Sequence, residues 1–364
     1  MSVTRWMNFG AGPAALPLPV LEEVQSELLD FQGTGMSVLE VSHRSPEYEA
    51  VHDEAIALAK ELLGLGDAFD ILLLGGGATA QFAMLPMNVL FEGKSADYVI
   101  TGSWAEKAYE VARGIGQVHV AATTENPDKT YTRIPEVHEI SPTPGAAYIH
   151  LTSNNTIFGT QWQTLPKIEG PLVIDMSSDI LSRRLVVSQC AMIYAGAQKN
   201  LGPAGVTLIA IRKDFLAKCS DRLPSPFSYQ NHAEHRSLSN TPPCFAIYIA
   251  GKTMKWIKDE GGLAEIEQRN RCKAELLYGT IDAHADFFRA PVVPGSRSCM
   301  NVVFRLPTPE LEKRFLAEAG AERMVGLKGH RSVGGVRASI YNAVPFAWVE
   351  ALTSFMGEFA RRNG

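Results

Sequence analysis

Seven short apolar runs between residues 70 and 212 constrain this chain more than any other feature. Ile71–Leu74, Tyr98–Ile100, Val118–Val120, Ala147–Leu151, Leu172–Ile174, Met192–Ala195 and Val206–Ile211 carry no polar alternation. Each therefore predicts a strand buried on both faces, as in a mostly parallel sheet covered by helices. Helix-length segments such as Ala80–Phe91 and Ala105–Ile115 lie between them. The fold class expected is α/β.

A Pro-rich stretch, 221–245, predicts a long loop, and Gly261-Gly262 separates a helix over Phe245 to about Glu260 from one over Leu263 to about Tyr278. The remainder mixes strands (Met300–Leu306, Gly335–Ala338) with helices (Thr308–Ala319, Pro345–Arg361), which reads as a smaller α+β lobe. At 364 residues the chain exceeds the usual single-domain size, so two unequal lobes are expected.

Composition narrows the partners. A net charge of −5 argues against nucleic acid or an anionic membrane as the main partner, while leaving room for a local basic pocket. No apolar stretch approaches the roughly 20 residues that span a bilayer, and Met1 to Pro19 lacks a signal-peptide pattern. The five cysteines, odd in number and without a C-x-x-C pair, read as reduced thiols of a cytoplasmic protein.

Three constellations follow predicted strands. Gly75-Gly76-Gly77-Ala78-Thr79-Ala80 opens a helix, where free N–H groups favour an anion; a plain flexible turn is the ordinary alternative. Asp175 ends the run Leu172-Val173-Ile174, where a carboxylate is costly without a cationic or hydrogen-bonding partner; a helix N-cap is the alternative. Lys199, in Ala195-Gly196-Ala197-Gln198-Lys199-Asn200-Leu201-Gly202-Pro203, sits among small residues that leave room for a flat ligand. Desolvation there would lower its amine pKa, although a solvated loop lysine is the alternative. Together the three have one chemical explanation. A cofactor with a phosphate, a pyridine nitrogen and an aldehyde needs an anion site, a carboxylate and an amine that forms a Schiff base.

The chain resembles the phosphoserine branch of the class-V aminotransferases over essentially its whole length. The resemblance runs through Asn8-Phe9-Gly10-Ala11-Gly12-Pro13-Ala14, Val41-Ser42-His43-Arg44-Ser45, Thr101-Gly102-Ser103-Trp104, the lysine segment, and Gly329-His330-Arg331 onward to Arg337 and Asn342. It implies the fold-type I architecture of pyridoxal 5'-phosphate enzymes: a large, mostly parallel seven-stranded sheet domain (16–260) and a smaller α+β domain (1–15 and 261–364). It also implies roles. Lys199 would anchor the cofactor and shuttle a proton, Asp175 would hold the pyridine nitrogen protonated, and Trp104 would stack on the ring. Thr156 would bond the phenolic oxygen, while Ala78, Thr79 and Gln198 would hold the phosphate. Asn240 and Thr241 would reach the cofactor of a neighbouring subunit, which implies a homodimer with shared sites.

The implied reaction interconverts O-phospho-L-serine plus 2-oxoglutarate with 3-phosphooxypyruvate plus L-glutamate, in L-serine biosynthesis. The residues agree, because substrates with an anion at each end need two separated cationic groups, and guanidinium suits carboxylate and phosphate alike. Arg337 matches the α-carboxylate position; His43, Arg44, His330 and Arg331 match the distal anion, some across the dimer. For His43 a structural role stays open. The pattern departs at Thr79, where some family members have an arginine, leaving one fewer cation near the substrate phosphate.

Rival readings are another class-V activity (an alanine- or serine-glyoxylate aminotransferase, or a cysteine desulfurase) and a non-catalytic cofactor-binding protein. A desulfurase needs a nucleophilic cysteine in a C-terminal loop, and no cysteine follows Cys299. Two further signals are set aside. Gly10-Ala11-Gly12-Pro13-Ala14-Ala15 matches a dinucleotide fingerprint without the strand and helix that it needs. His232 and His235 have ligand spacing within an expected solvated loop, and no metal is expected.

Overall fold

The computed structural model describes residues 4–364; residues 1–3 of the expected small domain lie outside it. Strand β1 (Met7–Asn8) and helices α1 (Leu18–Glu27) and α2 (Pro46–Leu63) come first. There follow β2 (Phe69–Leu74), α3 (Gly77–Val89), β3 (Ser95–Ile100), α4 (Ser103–Arg113), β4 (Gln117–Thr123) and β5 (Ile149–Thr152). A two-strand hairpin, β6 (Asn154–Asn155) and β7 (Thr160–Gln161), leads to β8 (Leu172–Asp175), β9 (Met192–Gly196) and β10 (Thr207–Arg212). The chain continues through α5 (Lys213–Leu216), α6 (Tyr229–Glu234), α7 (Cys244–Asp259), α8 (Gly262–Ala283), β11 (Asn301–Phe304) and α9 (Pro309–Ala321). It closes with β12 (Met324–Val325), β13 (Val336–Ser339) and α10 (Phe346–Asn363).

The seven predicted strands form one seven-stranded sheet in the order β2-β10-β9-β8-β5-β3-β4. It is mostly parallel; β10 alone runs against its neighbours β2 and β9. Burial on both faces holds in the middle of the sheet, where β5, β8 and β9 are buried throughout. It fails at β4, an edge strand whose residues are largely exposed. Separate apolar cores lie on the two faces, one gathering Leu73, Ile174 and Ile247, the other Phe82, Tyr98 and Val173. A third core, with Phe9, Leu277, Phe304, Phe315 and Phe355, belongs to the C-terminal part and the N-terminal arm. There β11 and β13 pair antiparallel, and β1 pairs with β12.

The Pro-rich stretch is not wholly a loop. Ser228 Oγ accepts from the Asn231 N–H and caps the short helix α6. That helix buries His232, whose Nε2 meets the Pro226 carbonyl at 3.0 Å. The solvated-loop reading is therefore wrong for His232, while His235 is exposed in the turn after the helix; no group of metal-binding side chains occurs among the described residues. Among them no helix is long and apolar enough to cross a membrane.

Candidate active site

The predicted groups meet at the C-terminal ends of β8 and β9, where open α/β sheets place ligands. Asp175 ends β8 and is buried; its Oδ1 accepts from the Ser177 N–H at 2.9 Å and from Ser177 Oγ at 2.6 Å. Its Oδ2 has no hydrogen-bond partner among the described residues, which leaves one carboxylate oxygen for a cationic N–H. Burial pushes the Asp175 carboxyl above its usual range, opposed by the Lys199 charge and the Ser177 bonds.

One strand over, β9 ends at Gly196 and the chain turns tightly, with Gly202 N–H bonded to the Ala197 carbonyl at 2.8 Å. A Cβ on Gly202 would stand 3.2 Å from the Ala250 Cα, so glycine lets the turn lie against α7. Lys199 projects from this turn, partly buried, with its Nζ 5.4 Å from the centroid of the Trp104 ring. Burial lowers the Lys199 pKa; Asp175 pulls it back up, and the Arg337 charge pushes it down. The ordinary alternative of a solvated loop lysine does not describe this position.

Trp104 lies in the first turn of α4, and its indole Nε1 donates to Thr156 Oγ1 at 3.1 Å. A Cβ on the preceding Gly102 would fall 2.5 Å from Asn155 Oδ1, so glycine permits this approach. Thr156 is buried, and because its hydroxyl accepts from Trp104, its own O–H proton is free for an oxygen of a ligand. The Thr156 carbonyl takes Arg337 Nη1 at 3.1 Å. Arg337 Nε is buried without a partner, an unsatisfied donor of the kind that an anionic ligand would meet.

The anion end is the start of α3. Gly76, with φ +94°, caps the helix and no side chain bonds the first-turn N–H groups. A Cβ on Gly196 would lie 2.8 Å from Gln198 Oε1 and 3.3 Å from the Ala78 nitrogen, so these polar groups converge above that glycine. Thr79 stands exposed on the same turn. His330 Nδ1 lies 2.7 Å from Ser332 Oγ, and burial with the charges of Arg337 and Arg331 lowers its pKa. Arg331 is exposed beside it.

Four predicted residues are not brought in. Arg44, Asn240 and Thr241 are exposed, with Asn240 Nδ2 on the Thr241 carbonyl at 3.3 Å, and His43 is partly buried with no partner for Nε2. None of the four bonds to the Lys199 group within this chain.

Other residues went unread in the sequence. Asp179 is buried and takes Gln161 Nε2 at 3.0 Å and Arg183 Nη2 at 3.3 Å, together with Ser153 Oγ. Its charge raises the pKa of both Asp175 and Lys199. The polar run Ser177-Ser178-Asp179 directly after a buried strand was the available signal. Gly12 is the other: at φ +138° it lies against Lys199, where a Cβ would come 3.2 Å from Lys199 Cγ. The apparent dinucleotide fingerprint is thus an arm laid over the lysine turn, with Ala14 N–H on the Gln198 carbonyl at 2.9 Å.

A family model for class-V aminotransferases matches residues 6–352. The chain belongs to the phosphoserine aminotransferase family of the class-V aminotransferases. The phosphoserine aminotransferase of Geobacillus kaustophilus (strain HTA426) is 56% identical over 358 residues, covering 98% of this chain and 99% of the relative. That of Herpetosiphon aurantiacus is 54% identical, again over 98% and 99%. Among solved structures, the phosphoserine aminotransferase from Bacillus circulans subsp. alkalophilus superposes with a TM-score of 0.96 at 52% identity, covering 99% of each chain. A pyridoxal-phosphate-bound member from Trichomonas vaginalis gives 0.92 at 37% identity, covering 97% of this chain and all of that one. An alanine–glyoxylate aminotransferase from Nostoc sp., at 16% identity and TM-score 0.77, shares the fold alone.

The donor set of this family member fits pyridoxal phosphate. An uncapped helix start with Gln198 suits a phosphate, the free Asp175 oxygen suits a pyridinium N–H, and a desolvated amine suits an aldehyde.

Proposed function

We propose that this chain is the pyridoxal-phosphate-dependent aminotransferase that interconverts O-phospho-L-serine plus 2-oxoglutarate with 3-phosphooxypyruvate plus L-glutamate, for L-serine biosynthesis. The observation that carries the reading is a partly buried lysine 5.4 Å from the Trp104 ring centroid, electrostatically coupled to Asp175 and to Arg337, whose guanidinium Nε is unsatisfied. Relatives at 54–56% identity over nearly the whole chain are phosphoserine aminotransferases, which favours this substrate pair over the glyoxylate, desulfurase and non-catalytic alternatives.

Bound in this cradle, pyridoxal phosphate supplies an aldehyde that takes up the amino group and a ring that stores the electron pair left at the substrate Cα. The chain does the rest. Ala78, Thr79 and Gln198 would hold the phosphate, Trp104 would stack on the ring, and Thr156 would donate to the phenolic oxygen. Asp175 would keep a proton on the ring nitrogen. Lys199 Nζ, whose pKa burial lowers, would anchor the cofactor through its amine and, once released by the incoming amino group, would accept and return the substrate Cα proton. Arg337 takes the α-carboxylate, and His330 and Arg331 take the distal anion. His43, Arg44, Asn240 and Thr241 would complete the site from the partner subunit of a homodimer, a reading supported by the exposure of Arg44, Asn240 and Thr241 and by the lack of a bond from any of the four to Lys199.

The division into domains 16–260 and 1–15 with 261–364 is supported by the separate C-terminal core. A cytoplasmic setting is supported by five free cysteines. The test is Lys199→Ala. Turnover of phosphoserine with 2-oxoglutarate should fall on the order of 10³-fold, with loss of the near-visible band of the lysine-bound cofactor. An unchanged band contradicts the assignment.

A further inference from the structure

Lys273 on α8 is only 2% exposed, yet no carboxylate pairs with it among the described residues. Its Nζ donates to the backbone oxygens of Tyr341 at 2.7 Å and of Ile340 and Val344 at 3.1 Å. Three acceptors match the three N–H bonds of an ammonium. Burial pushes the amine down to about 7, and the charge of Arg269, one turn away, acts in the same direction. A buried cation without a counter-charge is costly to desolvate, and here the three carbonyls are its only compensation. Its use here calls for a reason in geometry.

The segment it grips joins β13, which carries Arg337, to α10. Tyr341 Oη donates to the Ala11 carbonyl at 3.0 Å and accepts from Asn301 Nδ2 at 3.1 Å. The Asn342 N–H donates to Asn200 Oδ1 at 2.9 Å, and its Nδ2 to the Leu181 carbonyl at 2.8 Å. Asn270, on the face of α8 that bears Lys273, donates to Asn342 Oδ1 at 2.7 Å. Asn200 is the neighbour of Lys199. The segment is therefore the seam through which the small lobe, the Gly12 arm and the lysine turn are held in register. Behind it lies a cavity of about 680 Å³, lined by Lys273, Asn342, Val344 and Arg269, with Arg5, Glu260 and Glu265 as its other charged groups. Packed protein does not back the seam on that side, so the clamp must hold it.

We propose that Lys273 is a positioning residue of the active site, whose grip on the 340–344 carbonyls sets Arg337 and the Asn200–Lys199 turn at their working separation. The inference rests on the roles given above to Arg337 and Lys199. It predicts that Lys273→Met in the full-length holoenzyme keeps the wild-type far-ultraviolet circular dichroism, with any fall in melting temperature reflecting the three carbonyls left without a donor. The KM values for both phosphoserine and glutamate should rise roughly tenfold or more, since small misplacements of binding groups are costly. The amides of Ile340 and Asn342 should exchange at least roughly tenfold faster, a readout independent of turnover. Because the effect passes through Asn342, the double variant with Asn342→Ala should be no worse than Asn342→Ala alone.

Unchanged amide exchange with unchanged KM values, or fully additive losses in the double variant, overturns the proposal. Lys273→Gln, which keeps two N–H donors, replaces the methionine variant if that one does not fold, with smaller rises in KM and in amide exchange expected and wild-type values of both overturning the proposal. Wild-type turnover of phosphoserine is measured alongside. Its absence removes the substrate reading and leaves amide exchange to decide Lys273; its presence with an unaltered Lys273→Met removes Lys273 alone.

Discussion

At the scale of single residues, Lys199 and Asp175 are shifted in opposite directions by the same cause. Burial disfavours both charges, lowering the amine and raising the carboxyl, and each partly restores the other. The signs give a prediction for protein stripped of cofactor. Asp175→Asn removes a charge that raises the Lys199 pKa, so modification of Lys199 by an aldehyde reagent should reach its midpoint at lower pH. Arg337→Met removes a charge that lowers it, so the midpoint should move to higher pH. Shifts of the same sign in both variants contradict the electrostatic account. Lys199 and Asp175 were legible in the sequence because a charged group beside a buried strand is costly and needs a reason. Asp179 was not, since its burial comes from Gln161, Ser153 and Arg183, three residues that only the fold brings to it.

At the scale of elements, two chain turns would make the phosphate end of the proposed site: the entry to α3 and the exit of β9. Glycine at 196 keeps the space between them open. Gly196→Ala should weaken cofactor binding by roughly tenfold, the loss of about one charge-assisted hydrogen bond, with the far-ultraviolet circular dichroism unchanged. Equilibrium dialysis of the cofactor checks this; wild-type affinity would exclude the proposed convergence of Gln198 and Ala78. Strands were legible where burial is uniform. Their edges were hidden by polar residues with tertiary partners, as at Asp97, which lies inside β3 and binds the N–H and hydroxyl of Thr143. Periodicity also hid that β4 is an edge, because an edge position is a property of the sheet and not of the run. Helix α6 escaped for a related reason: prolines on both sides masked a Ser228 cap that acts over only three residues.

At the scale of the whole molecule, Arg44, Asn240 and Thr241 are exposed and none of them bonds to Lys199, and Leu39, five residues before Arg44, is exposed as well. The proposed second copy would account for these. Mixed dimers test it: Lys199→Ala and Arg44→Ala, each impaired alone, should regain turnover when co-refolded, because one site then holds a native Lys199 and a native Arg44 from different chains. No recovery would place Arg44 within the same chain's site or outside it. The doubled His-Arg blocks were visible in the sequence, but any division of them between subunits was not, since it would depend on an interface between chains.

The most direct measurement is the single half-reaction of the purified holoenzyme, followed by the cofactor spectrum, with phosphoserine, glutamate and serine in turn. Phosphoserine and glutamate should each convert the aldehyde form to the amine form, and serine should react roughly 10²-fold more slowly or worse, because the distal cations would be left without an anion. Serine reacting as fast as phosphoserine would contradict the account.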